Sequence, residues 1–270
     1  MPETYSPVNS QGLGEKETLM ANLAPKFALV TGGAGDIGGA IVARLSADGF
    51  TTTIVDTIDE PAGAARARAL SVNAPVTFCR ASTTSRQALT ALIATLPRLD
   101  LAVMCAGTVS AQPFLDIDDA AWQLQLDVNL TGSFLAAQIA ARRMRKDASR
   151  GHLIFISSWV ASRPWPEIAA YSSSKAGIDQ LMRQAALELA PHGIRSNSVA
   201  PGIVMAGLAK TQFETEPQYA ARASRSIPLG APQTADQIAD AVGFLASPAA
   251  ATMTGSILTV DAGSTLGTLA

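Results

Sequence analysis

Short apolar runs alternate with longer periodic stretches along most of this chain. The run 26–31, through Phe27, Ala28, Leu29 and Val30, has strand length and leads into a glycine-rich turn at 32–39. Ile41, Val42 and Leu45 then recur at helical spacing up to a Gly49 stop. Further strands are predicted at 51–55, 76–79, 99–104, 153–156, 196–199 and 257–260. Helices are predicted between them at 62–70, 87–96, 120–145, from about 175 to 189, and at 235–246. The strands are continuous apolar segments, so both sheet faces are expected to be covered. Regular strand–helix alternation requires parallel strands joined by right-handed crossovers. The fold class is α/β: one doubly wound parallel seven-stranded sheet, Rossmann-like, in three αβα layers.

No composition change or linker interrupts 25–270, which reads as one domain. Residues 1–24 are polar and broken by Pro2, Pro7, Gly12 and Gly14; they read as a flexible N-terminal extension without the pattern of a secretory signal. Met20 is a second possible start. The segment 203–229, with Gly207, Pro217 and Pro228, reads as an irregular insertion suited to a lid.

Of the 270 residues, 48% are hydrophobic and 16% charged, and the net charge is −2. That gives no basic field for nucleic acid or an anionic membrane, and no apolar run is long enough to span one. Cys79 and Cys105 make no disulfide framework, and with His152 and His192 they make no metal cluster. Free thiols suit the cytoplasm, the expected location.

Candidate chemistry centres on 158–175. Ser158 follows the strand 153–156, at the sheet edge where open parallel sheets build ligand sites. Tyr171 and Lys175 are four apart on a helix, so their side chains share a face. A neighbouring ammonium favours the tyrosinate, making the hydroxyl a better acid and base. Alone, the pair also fits a packed tyrosine and a solvated lysine.

The turn Gly33-Ala34-Gly35-Asp36-Ile37-Gly38 matches G-x-G-x-x-G between a strand and a helix. Glycines let the backbone approach a pyrophosphate, and the helix start offers free N–H donors. Asp56 ends the next strand, where a carboxylate can accept the ribose hydroxyls of NAD and repel the extra phosphate of NADP. NAD is therefore the expected cofactor.

From about Lys26 to Gly267 the chain resembles the short-chain dehydrogenase/reductase family. The family loop T-G-x-x-x-G-x-G falls on 31–38, N-N-A-G on 104–107, the helix asparagine on Asn129 and the serine on Ser158. Y-x-x-x-K falls on Tyr171 and Lys175, and N-x-V-x-P-G on 197–202. The resemblance implies a catalytic set of Asn129, Ser158, Tyr171 and Lys175. Tyr171 would exchange the substrate proton, Ser158 orient the substrate oxygen, Lys175 hold the nicotinamide ribose, and Asn129 hold a water joining Lys175 to solvent. It also implies cofactor contacts from Gly32, Gly35, Asp36, Ile37, Gly38, Asp56, Arg80, Ala81, Cys105, Ala106, Gly107, Tyr171, Lys175, Pro201, Gly202 and Val204.

Four positions depart from the family pattern. Asp36 replaces the second loop glycine and is expected to turn away from the pyrophosphate. Arg80 replaces an aspartate near adenine and could stack on the ring. Met104-Cys105 replaces two asparagines, and Ala206 replaces a threonine near the carboxamide.

Trp159, Trp165 and Met205 are expected to line an apolar substrate pocket, and Arg163 is read as a surface residue. The implied activity is NAD-dependent interconversion of a secondary alcohol (polyol, sugar, hydroxy acid or cyclic alcohol) and its ketone. The alternative is a carbonyl or 3-oxoacyl thioester reductase. A cofactor-free lyase and a non-catalytic nucleotide-binding protein are the rivals, opposed by Lys175, Asp56 and the complete catalytic set. The resemblance further implies a homotetramer or homodimer, with close helix packing through Ala136, Ala137, Ala140 and Ala141.

Overall fold

A computed structural model of the protein describes residues 25–267; the expectation for the N-terminal extension lies outside them. In chain order the elements are β1 (Lys26–Thr31), α1 (Asp36–Ala47), β2 (Phe50–Asp56), α2 (Glu60–Leu70), β3 (Val76–Arg80), α3 (Arg86–Thr95) and β4 (Leu101–Met104). They continue with α4 (Asp119–Gln125), α5 (Gly132–Lys146), β5 (His152–Ile156), α6 (Ala169–Leu189) and β6 (Arg195–Pro201). The last are α7 (Gly207–Thr215), α8 (Pro217–Arg225), α9 (Ala235–Ala246) and β7 (Ile257–Val260).

The seven strands form one sheet in the order β3-β2-β1-β4-β5-β6-β7, and every pairing is parallel. Side chains alternate across it. Ala28 and Val30 join α1, α2 and α9 on one face. Leu29 joins α3, α5 and α6 on the other. Two apolar cores thus sandwich the sheet, as its continuous apolar strands require. The order of the strands along the chain reverses between β1 and β4, where Thr31 pairs with Met104. Crevices open at the carboxyl ends of strands at such a junction.

Three local readings change. The expected long helix at 120–145 is interrupted by a wider π turn at Leu126–Thr131, between α4 and α5. The insertion at 203–229 contains two helices, α7 and α8. Pro217, taken as a breaker, sits in the first turn of α8, where its missing N–H costs nothing. Tyr219 and Ala223 then bury one helical face with Ile227 beyond it. The alanines of α5 are also placed differently. Ala136, Ala137, Ala140 and Ala141 are all buried in the core of the chain itself, so they offer no face to a second copy. Among the described residues no helix is long and apolar enough to cross a membrane.

Candidate active site

The carboxyl ends of β1, β2, β4, β5 and β6 surround one cavity of about 770 Å³. At one end lies the turn between β1 and α1, contributing Gly32, Gly35, Asp36, Ile37 and Gly38. Gly38 is where this turn demands glycine: a Cβ there would stand 2.1 Å from the carbonyl oxygen of Gly32. Gly35 flanks α1 without a side-chain cap, so first-turn N–H groups remain for a bound anion. A Cβ built on Gly35 would meet only the Gly32 carbonyl, at 3.5 Å.

Asp56, at the end of β2, is fixed by two backbone donors. The N–H of Ala34 donates to its Oδ2 at 3.1 Å, and the N–H of Thr57 to its Oδ1 at 2.7 Å. The carboxylate is thus held to the same turn as the glycines. Ala81 lines the cavity beside it. Arg80 does not: its Nε donates to the carbonyl of Thr57 at 3.2 Å, on the exposed surface. The expected stacking group is therefore engaged outside the cavity. Thr57, Ser82 and Thr83 line this end instead, short polar residues that no motif had marked.

Cys105, Ala106 and Gly107 form the middle wall. The backbone N–H groups of Cys105 and Ala106 both donate to Thr31 Oγ1, at 3.1 and 3.2 Å. This ties the segment after β4 to the end of β1. Desolvation, set against the nearby Lys175 charge, pushes the Cys105 thiol up to about 11. It stands in the wall as a neutral thiol, not as a nucleophile. Pro201, Gly202 and Val204 close the wall from β6.

Ser158, Tyr171 and Lys175 line the far end together. Ser158 is buried directly after β5, and its Oγ accepts weakly from the N–H of Val160 at 3.4 Å. Lys175 is only 4% exposed. Its ammonium donates to the carbonyl of Ile156 at 2.8 Å and lies 5.4 Å from the centre of the Tyr171 ring. The helical spacing read in the sequence thus brings the two side chains together. Asn129 is fully buried inside the π turn, a helix defect that often marks functional positions. A Cβ placed on Gly107 would lie 3.4 Å from Asn129 Oδ1 and 3.7 Å from Lys175 Nζ. That one missing methyl separates the asparagine from the lysine. Asn129 also donates to Ser174 Oγ at 3.1 Å.

One turn beyond Lys175, Asp179 is buried, and desolvation raises its carboxyl above the ordinary value. Ser157, Ser198 and the charges of Arg183 and Lys175 pull the other way. The helix α6 therefore carries a buried carboxyl one turn beyond Lys175, which the sequence motifs did not single out.

Thr108, Val109, Leu208 and Ala209 also line the cavity. Trp159, Trp165 and Met205 do not line it, contrary to expectation. Trp159 is buried and packs edge-on to Trp165 at 5.3 Å, which meets Tyr219 of α8 at 6.2 Å. These aromatics pack α8 against the segment after β5. Met205 is occupied through its backbone, donating to the carbonyl of Gln233 at 2.9 Å. Arg163 is not a free surface group either: it donates to the carbonyl of Ser264 and lies over Trp159 at 5.9 Å.

A family model described as enoyl-(acyl carrier protein) reductase matches residues 32–265. The chain is 32% identical over 250 residues to 3beta-hydroxysteroid dehydrogenase 1 of Eggerthella lenta, covering 91% of this chain and 95% of that protein. It is 32% identical over 241 residues to L-xylulose reductase of Mesocricetus auratus, covering 89% and 97%. Among solved structures, that of gox2181 superposes with a TM-score of 0.85 at 34% identity, covering 90% of this chain and 96% of that one.

Proposed function

The chain belongs to the short-chain dehydrogenase/reductase family of oxidoreductases, and from that footing we propose that it interconverts a secondary alcohol and its ketone with NAD as the preferred cofactor. One observation carries the reading: a single cavity is lined by the glycine turn and Asp56 at one end and by Ser158, Tyr171 and Lys175 at the other. A dinucleotide is an extended molecule with a phosphate centre and a reactive ring at one end, and this cavity offers partners in that order. Gly32, Gly35 and Gly38 would hold the pyrophosphate, Asp56 the adenosine ribose, and Lys175 the other ribose. The nicotinamide, when bound, supplies the hydride acceptor or donor.

The chain's own residues handle the oxygen and its proton. Ser158 Oγ donates to the substrate oxygen and stabilises charge that develops on it. Tyr171 removes the alcohol proton during oxidation and returns it during reduction. Lys175, anchored on the Ile156 carbonyl, sets its ammonium 5.4 Å from the centre of the Tyr171 ring. Asn129 holds the Thr108 backbone and a path from Lys175 outward. A hydroxyl donor beside a proton-exchanging phenol suits chemistry at a carbon–oxygen bond.

Oxidation is the favoured direction because the NAD pool of cells is largely oxidised. The reading includes a homotetramer or homodimer, which sedimentation would test. The deciding experiment measures NADH formation from a panel of polyols, sugars, hydroxy acids and cyclic alcohols, with NADP in parallel. No turnover of any alcohol or ketone with either cofactor would defeat it.

A further inference from the structure

Asp36 carries a contact that the chemistry above does not use. It is the exposed first residue of α1, and its Oδ2 accepts from the backbone N–H of Gly207 at 3.0 Å. The two residues are 171 positions apart. Gly207 opens α7, the first lid helix, and the preceding Ala206 provides no side-chain cap. N–H groups in a first helical turn have no partner within the helix, and a carboxylate is favoured there by the helix dipole. Gly207 has φ +50 with open space around its Cβ position, so glycine gives the lid its left-handed entry without strain. Asp36, Ala206 and Gly207 all line the cavity. The hydrogen bond therefore crosses from the nucleotide turn to the lid.

We propose that Asp36 is a positioning residue: it caps α7 from across the cavity, holds the lid against the nucleotide turn, and slows release of the bound dinucleotide. The retention role rests on the cofactor reading given above; the capping role does not. The carboxylate is spent on the lid, which leaves the first-turn N–H groups of α1 for phosphate. The bond must open for a dinucleotide to enter or leave.

Two variants separate this from simple repulsion of phosphate by a carboxylate. Asp36→Ala removes the acceptor and the charge, whereas Asp36→Asn removes the charge and keeps an acceptor oxygen. In cofactor-free protein, hydrogen exchange across 207–211 should rise about fivefold in Asp36→Ala, the size of a lost helix cap, and return towards wild type in Asp36→Asn. In stopped-flow fluorescence, NADH should leave Asp36→Ala faster than wild type, again with recovery in Asp36→Asn. Unchanged exchange in Asp36→Ala overturns the cap. Slower NADH release from both variants overturns the latch and assigns the carboxylate to repulsion. Wild-type protein that takes up no NADH overturns the cofactor reading and the retention role with it, while exchange still decides the cap.

Discussion

Asn129 and Thr108 close a ring of two hydrogen bonds. The Thr108 N–H donates to Asn129 Oδ1 at 2.7 Å, and Asn129 Nδ2 donates to the Thr108 carbonyl at 2.9 Å. An amide side chain thus stands in for a neighbouring strand and fixes the backbone just after Gly107. Asn129→Ala would leave both Thr108 groups without this partner, costing roughly 1–3 kcal/mol for the unmet groups. Urea unfolding should show that loss, and turnover should fall with it. Wild-type stability in Asn129→Ala would mean water replaces the amide without cost.

Tyr171 lines the cavity half-buried, and among the described residues its phenolic oxygen has no hydrogen-bond partner. Removing that oxygen should leave the fold intact. Tyr171→Phe is expected to lose roughly 10²–10⁴-fold in turnover, the usual share of general acid–base catalysis, while melting temperature and NADH titration stay as in wild type. Undiminished turnover would remove Tyr171 from proton transfer.

The Asp56 carboxylate is held by the N–H groups of Ala34 and Thr57, fixed at the cavity end that carries the glycine turn. Asp56→Ser should reduce the preference for NAD over NADP by on the order of tenfold or more, because a fixed like charge no longer opposes the extra phosphate. The ratio of kcat/KM values with the two cofactors reads this directly. An unaltered ratio would place discrimination elsewhere.

At Gly38 the obstructing atom is a backbone oxygen of the same turn, which cannot swing aside as a side chain would. Gly38→Ala should therefore destabilise the protein by about 1–3 kcal/mol or more and abolish NADH binding. Retained NADH binding at wild-type stability would show that α1 can move away from the turn.

His152 lies buried between Arg195 and Asn197, with 3.0 Å from its Nδ1 to the guanidinium and 2.9 Å from its Nε2 to the Asn197 amide nitrogen. Desolvation, aided by the Arg195 charge, lowers it from 6.5 to about 3. Its folded value lies below its unfolded one, so below pH 6.5 the unfolded chain takes up a proton that the folded chain refuses. Its neutral burial carries no pH-dependent cost above about 6.5, and stability falls as pH drops from there towards 3, by at most about 1.4 kcal/mol per pH unit. Urea midpoints between pH 7.5 and 5 would show the slope, and His152→Gln should flatten it. Equal slopes in both proteins would assign the acid sensitivity to other groups.

The strands β1, β4 and β5 were legible because each is a short apolar run largely buried on two faces, and the glycine turn, Asp56 and the Tyr171–Lys175 pair because their spacing has one geometric meaning. Other features depended on contacts between distant parts of the chain. Nothing local distinguishes a π turn around Asn129 from ordinary helix, and the backbone partner of Asn129, Thr108, lies 21 positions away. Pro217 carries opposite meanings as a breaker or as a helix start, and only burial of Tyr219 and Ala223 selects the second. Trp159 and Trp165 looked like a pocket lining because large aromatics suit either pocket or core, and Tyr219 decides for core. Alanines on α5 looked suited to a partner, but the sheet claims them first. Asp36 was read as turning away from phosphate; its destination, Gly207, lies too far along the chain for any local pattern to reveal.

The junction of β1 with β4 joins residues 73 positions apart, such as Ala28 and Leu101. Pairings of that span are slow to form, since a long loop must close before any contact rewards it. A chain emerging from the ribosome therefore has its glycine turn long before it has a crevice, and coenzyme finds nothing to grip until both halves dock. Added during refolding, it would leave the early phases untouched and favour only the finished fold, by slowing its escape back to the unfolded chain.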